Sequence, residues 1–189
     1  MGKQRFIMQI TSLDLSAQWI SKPSIASVDT MNRAVCPGSF DPITYGHIDI
    51  IKRASSHFDQ VVVAVLENRT KASLFTVAER MEMIRETTTK FPNVVVDSWS
   101  GLLVDYCKRN SITAIVKGLR AITDFDYELQ MAQVNLQGSG VETMFMATSP
   151  MHSFLSSSIV KELAHFNGDV SSMVPPVINK ALKKRMAGK

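Results

Sequence analysis

The segment Pro37-Gly38-Ser39-Phe40-Asp41-Pro42-Ile43-Thr44-Tyr45-Gly46-His47 has the residue types and spacing of a phosphate site. Pro37 and Gly38 can end a strand and turn the backbone tightly. Ser39 and the nearby N–H groups can then meet a phosphate. Thr44 suits the N-cap of a helix whose first turn would hold Gly46 and His47. A helix start offers unpaired N–H groups and a partial positive charge, which favours an anion. His47 could donate a hydrogen bond to phosphate oxygens as charge builds up in a transition state.

Three cations could reach the same anion: Lys71, Lys117 and Arg120. Arg120 can grip a phosphate bidentately, whereas the lysines act as point charges. Singly, each would pass for an exposed loop cation; their joint placement after strand patterns favours a shared site. Ser156-Ser157-Ser158 precedes a helical pattern. One serine is needed as N-cap, and three hydroxyls with free N–H groups also make a phosphate cradle. Other chemistries lack their signatures. There is no GxxxxGK[ST] loop, no GxGxxG after the first strand and no Gly-x-Ser-x-Gly elbow. His47, His57, His152 and His165 have no zinc-ligand spacing.

The elements that must position these residues alternate along the chain. Strands are expected at 33–36, 61–66, 94–96, 112–116 and 141–146. Helices are expected at 44–58, after the capping box Thr76-Val77-Ala78-Glu79, at 102–108, 125–136 and 158–166, and from Pro175 or Pro176 onward. This alternation predicts an α/β fold: a Rossmann-like open sheet of about five parallel strands with helices on both faces. Ligands bind such sheets at the carboxyl ends of the strands. PGSFDPITYGH, the loop with Lys71, the KGLR string 117–120 and the loop 148–158 each follow a strand pattern, so four polar loops should converge on one edge.

Composition sets the outer bounds. The chain has 189 residues, a formal charge of +4, and 45% hydrophobic and 20% charged residues, which suits one globular domain. The C-terminal run of Lys180, Lys183, Lys184, Arg185 and Lys189 has no interleaved aromatic residue, so it reads as a solvated helix face rather than a nucleic-acid patch. No apolar stretch approaches a membrane span, and Cys36 and Cys107 lack metal spacing. A cytoplasmic protein with two buried thiols is expected. Residues 1–30 lack a clear period and read as an N-terminal extension, with the domain at 31–189.

The strings PGSFDPITYGHIDII, KGLRAITDFDYELQMAQVN and SFLSSSIVKEL, at nearly constant spacing, resemble bacterial phosphopantetheine adenylyltransferases. Thr44-Tyr45-Gly46-His47 is the TxGH form of the superfamily's HxGH motif. The resemblance implies adenylyl transfer from ATP to 4′-phosphopantetheine, the penultimate step of coenzyme A synthesis. It implies Mg²⁺ accompanying ATP, with no metal ligand set of the protein's own, and a homohexamer. Asp41, Asp124 and Asp126 could assist the ion, with the ATP phosphates as its main carrier. By position, His47 would be the catalytic residue. Ser39, Phe40, His47, Gly118, Leu119, Arg120, Glu128, His152, Ser153, Phe154, Leu155, Ser156, Ser157 and Ser158 would bind ATP. Ser39, Lys71, Leu103 and Lys117 would bind the acceptor. Lys117 stands where the family commonly has arginine, His152 where it often has tyrosine or tryptophan, and Lys161 where the wider superfamily often has arginine. A nucleotidyltransferase of the same fold with another acceptor or a cytidylyl donor is the nearest rival. A nucleotide-binding module without catalysis is the other.

Overall fold

Val61-Val62-Val63-Ala64-Val65 is apolar at every position, because both faces of its strand are covered. Val61, Val63 and Val65 point to one face of the sheet and Val62 and Ala64 to the other. The computed structural model describes residues 31–67, 72–120 and 122–188. The anticipated extension at 1–30 and Lys71 lie outside these described residues. Met31–Lys189 forms one compact unit.

The elements are β1 (Arg33–Gly38), α1 (Tyr45–Ser55), β2 (Gln60–Leu66), α2 (Val77–Thr88), β3 (Val94–Trp99), α3 (Leu103–Arg109), β4 (Ala114–Leu119), α4 (Ile122–Ser139), β5 (Glu142–Ala147), α5 (Ser157–His165) and α6 (Pro176–Ala187). The five strands are parallel, in the order β3-β2-β1-β4-β5. One face packs against α1, α2, α5 and α6 through residues such as Ile51, Ile84, Val160 and Ile178. The other packs Val35, Val62 and Ile115 against Tyr106 and Cys107 of α3. The fold is thus the expected Rossmann-like α/β sheet with helices on both faces.

The strand order reverses between β1 and β4. Consecutive strands run outward from β1 to β3, and the chain then returns to place β4 on the other side of β1. Such a switch point leaves a crevice beyond the strand ends, because the two following connections leave in opposite directions. The crevice is deepened here. The β1–β4 ladder holds only Ala34↔Ala114 and Val35↔Ile115, whereas β1 stays in register with β2 as far as Gly38↔Val65.

Two local expectations are corrected by these ladders. Pro37 and Gly38 do not break β1; they are its last residues, with Pro37 opposite Ala64. Proline lacks an N–H for a ladder, and β1 parts from β4 just before it. Likewise Lys117, Gly118 and Leu119 do not follow β4; they complete it, opposite Phe145, Met146 and Ala147. Pairing with β5 sustains the strand past the apolar run that marked it in the sequence. The helix α1 is shorter than expected, and Phe58 is buried beyond its end.

Candidate active site

Thr44 caps α1 as expected, and the cap explains the motif's spacing. His47 occupies the N3 position, so Thr44 and His47 form a reciprocal capping box. The Thr44 N–H donates to His47 Nδ1 at 3.1 Å, and Thr44 Oγ1 lies 3.0 Å from the same nitrogen. Accepting that backbone bond leaves Nδ1 without a proton, so a neutral ring carries its hydrogen on Nε2. Burial, and after it the charges of Arg120 and Lys117, push the His47 pKa down to about 4. The ring is therefore neutral near pH 7, with one N–H left for a ligand.

The turn before it is built around Phe40. Phe40 adopts φ +47°, is buried, and sets its ring edge-on to His47 with centroids 5.2 Å apart. Its ring also lies over Gly38, where a Cβ would come within 3.0 Å of Phe40 Cζ. A side chain there would press on that ring, which would have to shift by a few tenths of an ångström. On the opposite wall, a Cβ on Gly118 would meet Ile50 Cγ1 at 2.9 Å. Its absence lets α1 seat against β4 at the cavity floor.

These residues enclose a cavity of about 320 Å³ at the switch point. It brings together Ser39, Phe40, His47, Lys117, Gly118, Arg120, Glu128, Leu155, Ser156, Ser157 and Ser158. Leu119, Leu103, His152, Ser153 and Phe154 lie outside its lining. Leu103 instead packs on the core cluster of Val35, Val62 and Tyr106, alongside Leu66 and Trp99. The backbone of His152 sits beside Gly46. Phe154 is 58% exposed.

The charged groups have partners within the protein. Lys117 Nζ lies 3.1 Å from Glu128 Oε2, which joins a residue expected at the acceptor to one expected at the nucleotide. Arg120 donates to the Leu155 carbonyl at 3.0 Å. The serine run divides its work. Ser156 Oγ caps α5 by accepting from the Ile159 N–H, and Ser157 Oγ donates to the Pro42 carbonyl at 2.8 Å. Ser158 remains exposed at the cavity.

Asp41 does not stand ready for a metal ion. It is buried and accepts from the N–H groups of Leu74 and Phe75 and from Lys161 Nζ, each at 2.9 Å. Burial alone would raise its pKa; the Lys161 ammonium and the two backbone donors outweigh it and hold the carboxyl below its ordinary value. Among the described residues, no group of three or more His, Cys, Asp or Glu side chains converges on a metal position. Arg80 was not anticipated. It is buried on α2 and donates to the Ser39 carbonyl at 2.6 Å. The sequence shows it only as a cation one turn into a helix, so the long-range contact left no trace there.

Residues 35–163 match the cytidylyltransferase-like family. Phosphopantetheine adenylyltransferase of Frankia alni is 61% identical over 159 residues, covering 82% of this chain and 98% of that protein. The Streptomyces coelicolor protein of the same name is 60% identical and the Thermobifida fusca protein 54%, with 98% and 96% of their lengths covered. The chain belongs to the phosphopantetheine adenylyltransferase family. A crystal structure described as a nicotinate-nucleotide adenylyltransferase from Vibrio parahaemolyticus superposes with a TM-score of 0.56. It covers 81% of this chain and 99% of its own at 14% identity, a likeness of fold alone. Membership accounts for the conjunction of TxGH, KGLR and the serine run around one crevice.

Proposed function

We propose that the chain transfers the adenylyl group of ATP to the phosphate of 4′-phosphopantetheine, forming dephospho-coenzyme A and pyrophosphate in coenzyme A synthesis. The observation that carries this reading is 54–61% identity, over nearly their whole length, to enzymes so named. The cavity supplies a matching chemistry. An oxygen of the acceptor phosphate attacks the α-phosphorus of ATP. The bond from that phosphorus to the bridging oxygen breaks, and pyrophosphate leaves with the electron pair. The acceptor is already anionic, so no strong base is required. Catalysis then rests on positioning and on stabilising charge. His47 offers a neutral Nε2–H donor, and Arg120 and Lys117 a positive field, to the same crevice. Lys117 would exchange its Glu128 partner for substrate oxygens.

Magnesium enters this scheme as part of the substrate, carried on the ATP phosphates. The cavity's carboxylate, Glu128, is paired with Lys117, and Asp41 is turned into the protein. The reading places the enzyme in the cytoplasm, in keeping with two buried free thiols, Cys36 and Cys107. No helix among the described residues is long and apolar enough to cross a membrane. It also makes the working assembly a homohexamer. Apolar side chains on α4 and on the edge strand β5, among them Val134 and Met144, support a subunit contact there.

Pyrophosphate release tests the activity directly. With ATP and magnesium, release is expected on addition of 4′-phosphopantetheine and not with nicotinamide mononucleotide or without an acceptor. Release with nicotinamide mononucleotide instead would assign the chain a different acceptor. ATP binding with no release in any arm would leave a nucleotide-binding module.

A further inference from the structure

We propose that Arg80 is a positioning residue for adenylyl transfer, acting through the backbone of the Ser39-Phe40 turn. Arg80 does not itself line the cavity. It is nevertheless 3% exposed, a rare burial for arginine, and its shortest bond runs to the Ser39 carbonyl at 2.6 Å. A second donor, Nε, reaches back to the Thr76 carbonyl at 3.4 Å. The bond therefore ties the capped start of α2 to the turn that follows β1.

The consequence follows from peptide geometry. The Ser39–Phe40 peptide is trans, so its carbonyl and its N–H point in opposite directions. With the carbonyl held on the Arg80 side, the Phe40 N–H is directed away from Arg80. No described residue accepts from that N–H, while Ser39 and Phe40 both line the cavity. Phe40 also holds φ +47°, a conformation that costs a non-glycine residue about 1–3 kcal/mol and persists only where neighbours enforce it. The turn is gripped on both sides: Arg80 holds the carbonyl before Phe40, and the Asp41 bonds to Leu74, Phe75 and Lys161 hold the residue after it. Releasing the Arg80 grip would let the peptide rotate and take a backbone donor away from the anion site. A charge-assisted bond is suited to this task because a rotating peptide must break it.

This inference rests on the adenylyl-transfer reading, and the test separates the two. Arg80→Met fills the buried volume without a donor, and Arg80→Lys keeps a cation of similar reach. Both are compared with the parent in the full chain, by thermal midpoint and by kcat and KM for ATP and 4′-phosphopantetheine. In Arg80→Met, kcat should fall roughly tenfold or more, with the acceptor KM changed less than about threefold. Arg80→Lys should recover part of the loss. Folded variants with kcat near the parent value would overturn the proposal, as would a lost fold in both, because Arg80 would then be structural only. No turnover in the parent would instead remove the adenylyl-transfer reading, and this proposal with it.

Discussion

His47 is tuned before any ligand arrives. Its Nδ1 is occupied by the Thr44 N–H, and burial with two neighbouring cations keeps the ring neutral. It is thus a donor whose proton needs no help from pH. His47→Ala should lose about 10²–10³ in kcat while ATP affinity changes far less; steady-state kinetics alongside calorimetric ATP binding would check this, and near-parental kcat would remove the assigned role. The same tuning couples to stability. A histidine held near 4 in the folded chain and at its ordinary 6.5 when unfolded favours the folded state fully above about pH 6.5. That contribution is lost as pH falls toward 4, since the unfolded chain takes up the proton first. Urea midpoints measured from pH 7 to 4 should therefore fall more steeply for the parent than for His47→Gln. Equal slopes would show that the ring titrates normally. Thr44 could be read as the N-cap because capping is a local device of fixed position; the return bond to His47 Nδ1 could not, since the sequence pattern of a capping box carries Glu or Gln at that place. Arg80 and the Lys117–Glu128 pair could not, since each joins residues that only the folded sheet brings together.

At the scale of elements, the site depends on how closely α1 seats on the sheet and how firmly the loops around it are joined. Alternating apolar runs and polar loops were enough to announce a parallel sheet and a loaded carboxyl edge. They were not enough to place the strand ends. Pro37 and Lys117 interrupt the apolar pattern yet remain in β1 and β4, because neighbouring strands continue the ladder on one side. Pairing partners, unlike periodicity, are non-local. Asp41 shows the same limit: its type suggested a metal ligand, whereas its place makes it the tie between the β1–α1 loop, the segment before α2 and Lys161 of α5. Asp41→Asn would break the ion pair and weaken two backbone bonds. The Lys161 side chain keeps 31% exposure, so water tempers the loss, and a cost of about 1–3 kcal/mol is expected in denaturant unfolding. Unchanged stability would mean the tie is dispensable. Gly118→Ala attacks the seating itself. Its Cβ would stand 2.9 Å from Ile50 Cγ1, and overpacking of this kind costs about 1–3 kcal/mol. Because Gly118 also lines the cavity, the variant should lose ATP affinity with its stability; an unaltered thermal midpoint would mean that α1 gives way freely.

For the whole molecule, one group of exposed apolar side chains among the described residues lies on the edge strand β5 and its neighbour α4. The strand β5 is an edge strand with Met144 48% exposed, and on α4, which packs on it, Val134 is 56% exposed and Tyr127 64%. An exposed edge beside apolar helix residues invites association and is normally covered or charged. The sequence pattern could not single these positions out, since helical spacing alone does not tell a core-facing residue from one facing a neighbour. If the homohexamer proposed above uses this surface, a charge placed at Val134 must be buried without a partner in every copy. Light scattering after size exclusion should then give a particle of six chains for the parent and a smaller one for Val134→Glu. The variant's secondary structure should be retained, because Val134 does not belong to either core cluster. An unchanged hexamer in Val134→Glu would move the interface elsewhere, and a monomeric parent would remove the hexamer altogether. Activity decides how far assembly matters to the cavity. His47, Lys117 and Arg120 all come from one chain, so a dissociated but folded variant should keep its chemical step and lose mainly stability.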